Sequence, residues 1–222
     1  MESLLFRKDL HSAHEPGRRG RWEEAIADLN RALALDPEPQ GTYHCLAALF
    51  VQVGEFTNYR QICRQMVARF GATTEPQVAE RMIKDCLILP SAGVGPTIMA
   101  RWVELVEQTA RQYEAHGWLE LAAGLAAYRQ GQHESAIRWS RKALQSDHQV
   151  RSVEASMVLA MALRQSNQTA EARQELARGV EYARQHMPRL ENGDLGGSWI
   201  DWIIAQALMR EAKTLIEQPA SP

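Results

Sequence analysis

The sequence predicts an all-α fold in which antiparallel helix pairs stack into an α-solenoid. Small residues recur seven positions apart on one helix, and a turn residue precedes the first of them by five positions. This spacing occurs at Gly131, Ala136 and Ala143, and again at Asn167, Ala172 and Gly179. Runs that alternate apolar and polar residues, which are typical of β-strands, are missing from the sequence, so we expect no strand of consequence.

The same organisation occurs near the start of the chain. A shift of 34 residues aligns Gly20 with Gly54, Trp22 with Phe56, and Ala32 with Met66. Two helices approach closely only where small side chains face each other. Glycine or asparagine tolerates the left-handed backbone that ends the first helix of a pair, and proline after the second helix, such as Pro37, prevents its continuation.

Composition and charge exclude several classes of protein. The 222 residues are enough for a substantial core, and 45% apolar with 23% charged residues is an ordinary globular balance. Lysine and arginine number 25 against 27 aspartates and glutamates, and this net charge of −2 does not indicate a nucleic-acid partner. The three cysteines form no CxxC pair, which predicts buried free thiols in a reducing compartment.

The sequence also argues against a membrane. No stretch approaches the roughly 18 uninterrupted apolar residues of a membrane helix. The segment Met1–Lys8 lacks a long apolar region behind a basic start, so it does not resemble a signal peptide. We therefore expect a cytoplasmic location.

Several segments resemble the tetratricopeptide repeat (TPR) family, in which helix A carries a W-x-x-L-G-x-x-Y pattern and helix B carries small residues and a closing proline. The resemblance lies in residues 43–50 as a helix A, residues 22–37 as a helix B, and residues 119–144 and 158–180 as further repeats. It implies a right-handed superhelix of helix pairs. It also implies a non-catalytic module that holds a protein or peptide.

The order of several short blocks is similar to the C-terminal TPR region of large bacterial signalling proteins, in which serine/threonine kinase or WD-repeat domains often come first. These blocks are residues 20–25, 69–71, 79–81, 86–90, 124–131 and 201–205. The resemblance implies a scaffold role or, alternatively, a regulatory domain of a larger signalling protein that senses a ligand or peptide.

Turn residues divide the single solenoid, residues 1–222, into five segments. They are an atypical first helix (1–21), TPR units (22–71), an irregular helix pair (74–116), TPR units (117–187) and a C-terminal capping helix (198–218). Pro16 predicts a short or distorted first helix. Thr74 is expected to cap a helix that runs to about Leu89. Ser198 and Asp201 form a Ser-x-x-Asp helix start.

The sequence carries no recognisable catalytic or cofactor motif. The glycines before Ser198 lack the lysine of a nucleotide loop, and His133-Glu134 lacks the second histidine of a zinc-protease helix. His11 and His14 have no third ligand nearby, so chance proximity is the preferred interpretation. We therefore expect no enzyme activity, no cofactor and no metal.

The A helices of a TPR solenoid line its concave groove, and the resemblance places nine side chains there. They are His44, Gln52, Leu121, Leu125, Tyr128, Arg129, Met157, Met161 and Arg164. The leucines and methionines favour an apolar, helical partner segment, with Tyr128, Arg129 and Arg164 orienting it through their polar ends. The alternative is that the chain's own helix from Ser198 covers this strip. The sequence also leaves a homo-oligomer open.

Overall fold

The computed structural model describes residues 14–90, 93–112 and 117–217, and these residues contain no β-strand. The all-α prediction is confirmed. The α-helices are α1 (Trp22–Leu35), α2 (Gln40–Gln52), α3 (Phe56–Phe70), α4 (Pro76–Cys86), α5 (Pro96–Gln112), α6 (Gly117–Arg129), α7 (His133–Ala143), α8 (Gln149–Gln165), α9 (Thr169–His186) and α10 (Trp199–Glu217). Residues 14–18 are also helical, and a 3₁₀-helix, Leu190–Asn192, connects α9 to α10.

Four helix pairs are joined by the same turn, whose central residue has a left-handed backbone. The φ angles are +74° at Gly20, +78° at Gly54, +74° at Gly131 and +62° at Asn167. In each turn the next residue donates its backbone N–H to the carbonyl five positions earlier, at 2.8–2.9 Å. This is the Schellman pattern that ends a helix. The turn residues singled out from the sequence therefore have the conformation that was predicted for them.

The helices form two layers. The inner helices α2, α4, α6 and α8 each pack against the next, while α1, α3, α5, α7 and α9 pack outside them. Helices α2, α6 and α8 are buried on nearly all sides, which explains their almost continuous apolar sequences. The outer helices bury one stripe each and carry the charged residues on their other face.

Helix α10 closes the inner layer. It packs against α8 at the end of the repeats and against α2 at their beginning, so α2, α4, α6, α8 and α10 form a closed ring. Contacts between residues 18–22 and residues 194–199 reinforce the closure. Arg18 forms an ion pair with Asp194, and the Leu195 backbone N–H donates to the Arg18 carbonyl at 2.8 Å. The indole of Trp199 stacks on Trp22, with ring centroids 6.4 Å apart.

The bounds of α4 differ from the sequence prediction. Helix α4 begins at Pro76 with Glu75 as its N-cap residue, and it ends at Cys86 rather than near Leu89. Proline is well suited to the first helical position, and it moves the start beyond Thr74. Helix α10 begins at Trp199, directly after Ser198, and Asp201 in its first turn accepts a hydrogen bond from Lys84 at 2.7 Å.

The start of the chain and the cysteines can also be compared with the predictions. Pro16 lies within the helical residues 14–18, but most of the predicted first helix lies outside the described residues, so its distortion stays a prediction. His11 also lies outside them. Cys45, Cys63 and Cys86 are buried free thiols, as predicted.

Candidate functional site

The concave strip predicted to meet a partner is covered by α10. Leu121, Leu125, Met157 and Met161 are fully buried, so these four side chains cannot contact a partner in this arrangement. Ile204, Leu208 and Ala212 of α10 are buried in the same core cluster. The structure therefore favours the alternative in which the chain's own terminal helix fills the groove.

An open cleft remains where α2, α6, α8 and α10 end, which we call the carboxyl-end cleft. Its volume is about 610 Å³. Its apolar lining is Val51, Phe56, Leu89, Pro90, Tyr128, Ala207 and Leu215, and its polar lining is Arg164, Arg210, Glu211 and Thr214. Phe56 is 46% exposed, an unusual position for a phenylalanine side chain. Arg164 and Arg210 have no carboxylate partner among the described residues.

Arg129 lies beside this cleft but already has its partners. Its guanidinium forms a two-point ion pair with Glu211, one contact being 2.7 Å. It also donates to the carbonyls of Leu87 at 3.1 Å and Ile88 at 3.0 Å. These bonds fix the end of α10 against the segment after α4. Arg129 is therefore a structural residue and not the partner-orienting residue that the sequence predicted.

A second cavity lies where α2, α6, α8 and α10 begin, which we call the amino-end cavity. Its volume is about 450 Å³. Its lining is His44, Gln77, Glu80, Arg81, Lys84, Gly117, Trp118, Leu119, Arg151, Gly197, Ile200 and Asp201. Half of these side chains are ionisable, whereas the carboxyl-end cleft is mostly apolar.

A buried ion network forms one wall of the amino-end cavity. The Lys84 ammonium lies 2.7 Å from Asp201, 3.5 Å from Glu80 and 3.9 Å from the centre of a Trp118 ring. Burial alone would lower the pKa of Lys84, but the Asp201 and Glu80 carboxylates outweigh burial and raise it. For Asp201, burial favours the neutral acid, yet Lys84 and His44 outweigh it and lower the pKa. Lys84 therefore stays charged and ties α4 to α10.

His44 is held in the same network. Its Nδ1 lies 2.6 Å from Oδ1 of Asp85, and its Nε2 lies 4.0 Å from Oδ1 of Asp201. Because Asp85 is fully buried, its carboxylate orients the imidazole, whose edge faces the cavity. The interior of the ring also holds Glu154, a fully buried carboxyl group. Neither of its oxygens has a hydrogen-bond partner in the described part of the chain.

Comparison with solved structures identifies the architecture. The chain is similar to TTC0263, a TPR protein of Thermus thermophilus, with a TM-score of 0.55 and 17% identity over 92% of this chain and 99% of that one. It is also similar to PilW, a type IV pilus biogenesis factor (TM-score 0.56, 15% identity, 96% and 92% covered). A third similar structure is PilF of Pseudomonas aeruginosa, with a TM-score of 0.52 and 16% identity over 98% of this chain and 95% of that one.

The chain has a TPR fold. At these identities the likeness shows the fold alone. No protein-family model and no curated protein matches the sequence.

The nine predicted groove residues lie in different environments of the TPR fold. His44 lines the amino-end cavity, while Tyr128 and Arg164 line the carboxyl-end cleft. Gln52 is half-buried at the end of α2. The four apolar residues are in the core, and Arg129 is bonded to Glu211. The structure does not bring the nine residues together in one site, because α10 fills the groove in which they were expected to lie.

Sequence reasoning missed most of the charged residues of this TPR interior. A usable signal was present at Glu154, which interrupts the apolar sequence of α8, whereas α4 is amphipathic and its sequence gives no such signal at Lys84 or Asp85. Charged residues in a helix that is otherwise apolar on all sides are buried with it, and buried charges need partners. The sequence could not show that Lys84 pairs with Asp201, because the two residues are more than one hundred positions apart along the chain.

Two further features bear on function, namely clusters of metal ligands and membrane-crossing helices. In the part that the structure describes, histidine, cysteine, aspartate and glutamate side chains do not gather in a group of three that could hold a metal ion. Within residues 14–90, 93–112 and 117–217, no helix is both long enough and apolar enough to cross a membrane.

Proposed function

We propose that this chain is a non-catalytic protein-interaction scaffold that binds a short segment of a partner protein in the carboxyl-end cleft. The observation that carries the proposal is an open, apolar cleft of about 610 Å³ with an exposed aromatic side chain, Phe56, at its edge. Exposed apolar surface in a concavity is costly to leave in water, and burying it drives association.

The charges around the cleft define the partner's chemistry. Arg164 and Arg210 have no carboxylate partner among the described residues, whereas Glu211 is paired with Arg129. A segment that places an apolar side chain on Phe56 and a carboxylate beside these guanidiniums would complement both features. The partner segment therefore carries both apolar and acidic side chains. This differs from the apolar helical segment expected from the leucines and methionines, which are buried.

A capture experiment with matched variants tests this proposal. The wild-type chain, Phe56→Asp and Leu35→Asp are immobilised after circular dichroism has shown that each is folded, and each is exposed to lysate of the native host. Leu35 is the control because it is 70% exposed on α1 and does not line the cleft. Partner proteins should be retained by the wild type and by Leu35→Asp, and lost from Phe56→Asp.

The purified partner is then titrated against Arg164→Gln and Arg210→Gln. Apolar anchoring of this size typically gives roughly micromolar affinity. Loss of one charge-assisted contact should weaken it by about tenfold. Partners that bind Phe56→Asp as well as they bind the wild type would place the interaction on another surface and overturn the proposal.

We further propose that the chain functions in the cytoplasm within a larger signalling protein, beside a kinase or WD-repeat domain. The support is the order of sequence blocks that resembles the C-terminal TPR regions of such proteins. An antibody against this chain should detect, in the cytosolic fraction of the native host, a band well above 25.0 kDa. A band at 25.0 kDa, or a membrane-bound pool, would contradict this assignment.

A further inference from the structure

The first turns of several helices converge on the amino-end cavity. Gly117 and Trp118 come from the first turn of α6, Arg151 from the first turn of α8, and Ile200 from the first turn of α10, while His44 lies in the second turn of α2. Each helix carries a partial positive charge at its N-terminus, and the inner helices run in the same direction. Their combined field favours a negatively charged group in the cavity.

Arg151 is the second and independent observation. It is only 6% exposed, yet no carboxylate in the described residues lies within 4.0 Å of its guanidinium. Within the described part of the chain, Arg151 donates two hydrogen bonds, both from Nη2 to Ser146, at 2.6 Å to the carbonyl and 2.8 Å to Oγ, and its buried Nε has no partner. Burial lowers the pKa of Arg151, although Glu120, Asp147 and Glu154 act in the opposite direction from further away.

The backbone of α6 leaves room for this guanidinium. A Cβ atom at Gly117 would lie 2.4 Å from Cζ of Arg151, so any side chain at Gly117 would displace it. The Arg151 guanidinium also lies 5.9 Å from a Trp118 ring. Arg151 is thus placed against the first turn of α6, where an anion would meet both a guanidinium and a helix N-terminus.

Among the side chains that line the cavity, three are cationic and two are acidic. Lys84, Arg81 and Arg151 are opposed by Glu80 and Asp201. Lys84 is paired with Asp201, and burial, which outweighs the opposing effect of Lys84, raises the pKa of Glu80. Arg81 donates to Gln40 at 2.9 Å and has no carboxylate within 4.0 Å in the described chain. Two guanidiniums are therefore available on this cavity.

We propose that the amino-end cavity is a binding site for a small oxyanion-bearing ligand, with Arg151 and Arg81 as its guanidinium donors and the first turn of α6 as its dipole partner. A carboxylate and a phosphate share the chemistry that this site recognises. The site is separate from the carboxyl-end cleft and does not depend on the scaffold function proposed for that cleft.

Isothermal titration calorimetry of the full chain with two probes, sodium phosphate and sodium succinate, tests the site. Sodium chloride at matched ionic strength controls for general screening. The variants are Arg151→Gln and Arg81→Gln. The matched control is Arg138→Gln, an exposed arginine of α7 that does not line the cavity. Arg81 is exposed, so its variant keeps the test valid if Arg151→Gln should fail to fold.

At least one probe should bind saturably to the wild type and to Arg138→Gln, and the stronger probe identifies whether the natural ligand is a carboxylate or a phosphate. Arg151→Gln and Arg81→Gln should each weaken that binding by about tenfold, the usual effect of losing a charge-assisted hydrogen bond. Absence of saturable binding by both probes, or equal binding by the wild type and both cavity variants, would overturn the proposal.

Discussion

At the residue scale, the most unusual side chain is Glu154, a carboxyl group that is fully buried inside the ring. It lies on α8 with both carboxyl oxygens buried and without hydrogen-bond partners in the described residues. Burial raises its pKa well above the ordinary value of 4.5, and the nearby ammonium of Lys84 opposes this only in part. A buried carboxyl group without hydrogen bonds is more stable in its neutral form.

We predict that Glu154→Gln changes the pH dependence of stability. Because the pKa of Glu154 is higher in the folded state, the folded chain binds more protons above pH 4.5, and stability falls as pH rises towards the folded pKa. One proton contributes at most about 1.4 kcal/mol per pH unit in that window. Glutamine cannot ionise, so Glu154→Gln should equal the wild type near pH 4 and exceed it at pH 8.

Urea denaturation at pH 4, 6 and 8 measures this difference. The exposed Glu191→Gln is the control, and its stability should follow that of the wild type throughout. A wild-type advantage at pH 8 would show instead that ionised Glu154 stabilises the fold through Lys84.

At the element scale, the helix pairs depend on small residues where the helices cross. A Cβ atom at Gly124 of α6 would lie 2.9 Å from Oγ of Ser140 on α7, and one at Gly179 of α9 would lie 2.4 Å from Cε of Met157 on α8. Ala136 and Ala143 are fully buried on α7. These contacts are the structural counterpart of the seven-residue spacing in the sequence.

We predict that Ala136→Leu destabilises the fold by about 1–3 kcal/mol, because a close-packed contact cannot accept three extra carbons without strain. Thermal denaturation measures the effect. Arg138→Leu is the matched control, since it adds a leucine to the exposed face of the same helix and should change stability little. Equal melting temperatures for Ala136→Leu and the wild type would remove Ala136 from the helix contact.

For the whole molecule, the decisive feature is the ring that α10 closes. Trp199 is fully buried where the start of α10 meets residues 14–22, and its indole Nε1 donates a hydrogen bond to Nδ1 of His14 at 3.1 Å. A Cβ atom at Gly17 would lie only 2.4 Å from this indole. An open solenoid bends at each repeat junction, whereas contact between its first and last repeats removes that freedom.

We predict that Trp199→Ala lowers stability by about 3–5 kcal/mol, the usual cost of removing a fully buried tryptophan side chain. Because Trp199 couples the chain ends, amide hydrogen exchange should also rise in α2, far from position 199 in sequence. Trp139→Ala is the control, since Trp139 packs between outer helices and donates to Glu107 at 3.2 Å. Its effect should stay near α5 and α7. Unchanged exchange in α2 of Trp199→Ala would mean that α10 does not couple the ends.

The sequence alone determined the all-α class, the helix-pair organisation and the turns at Gly20, Gly54, Gly131 and Asn167. These features depend on local chemistry, because helical periodicity and left-handed backbone preference act over a few residues. The sequence also predicted Tyr128 and Arg164 as partner-facing residues, and both line the carboxyl-end cleft.

Only the tertiary structure decided that α10 lies in the groove, that Leu125 and Met161 belong to the core, and that Lys84 is paired with Asp201. The physical reason is that solenoid curvature is the sum of small rotations at every repeat junction. Whether the last helix reaches the first repeat depends on that sum. No local pattern in the sequence encodes it.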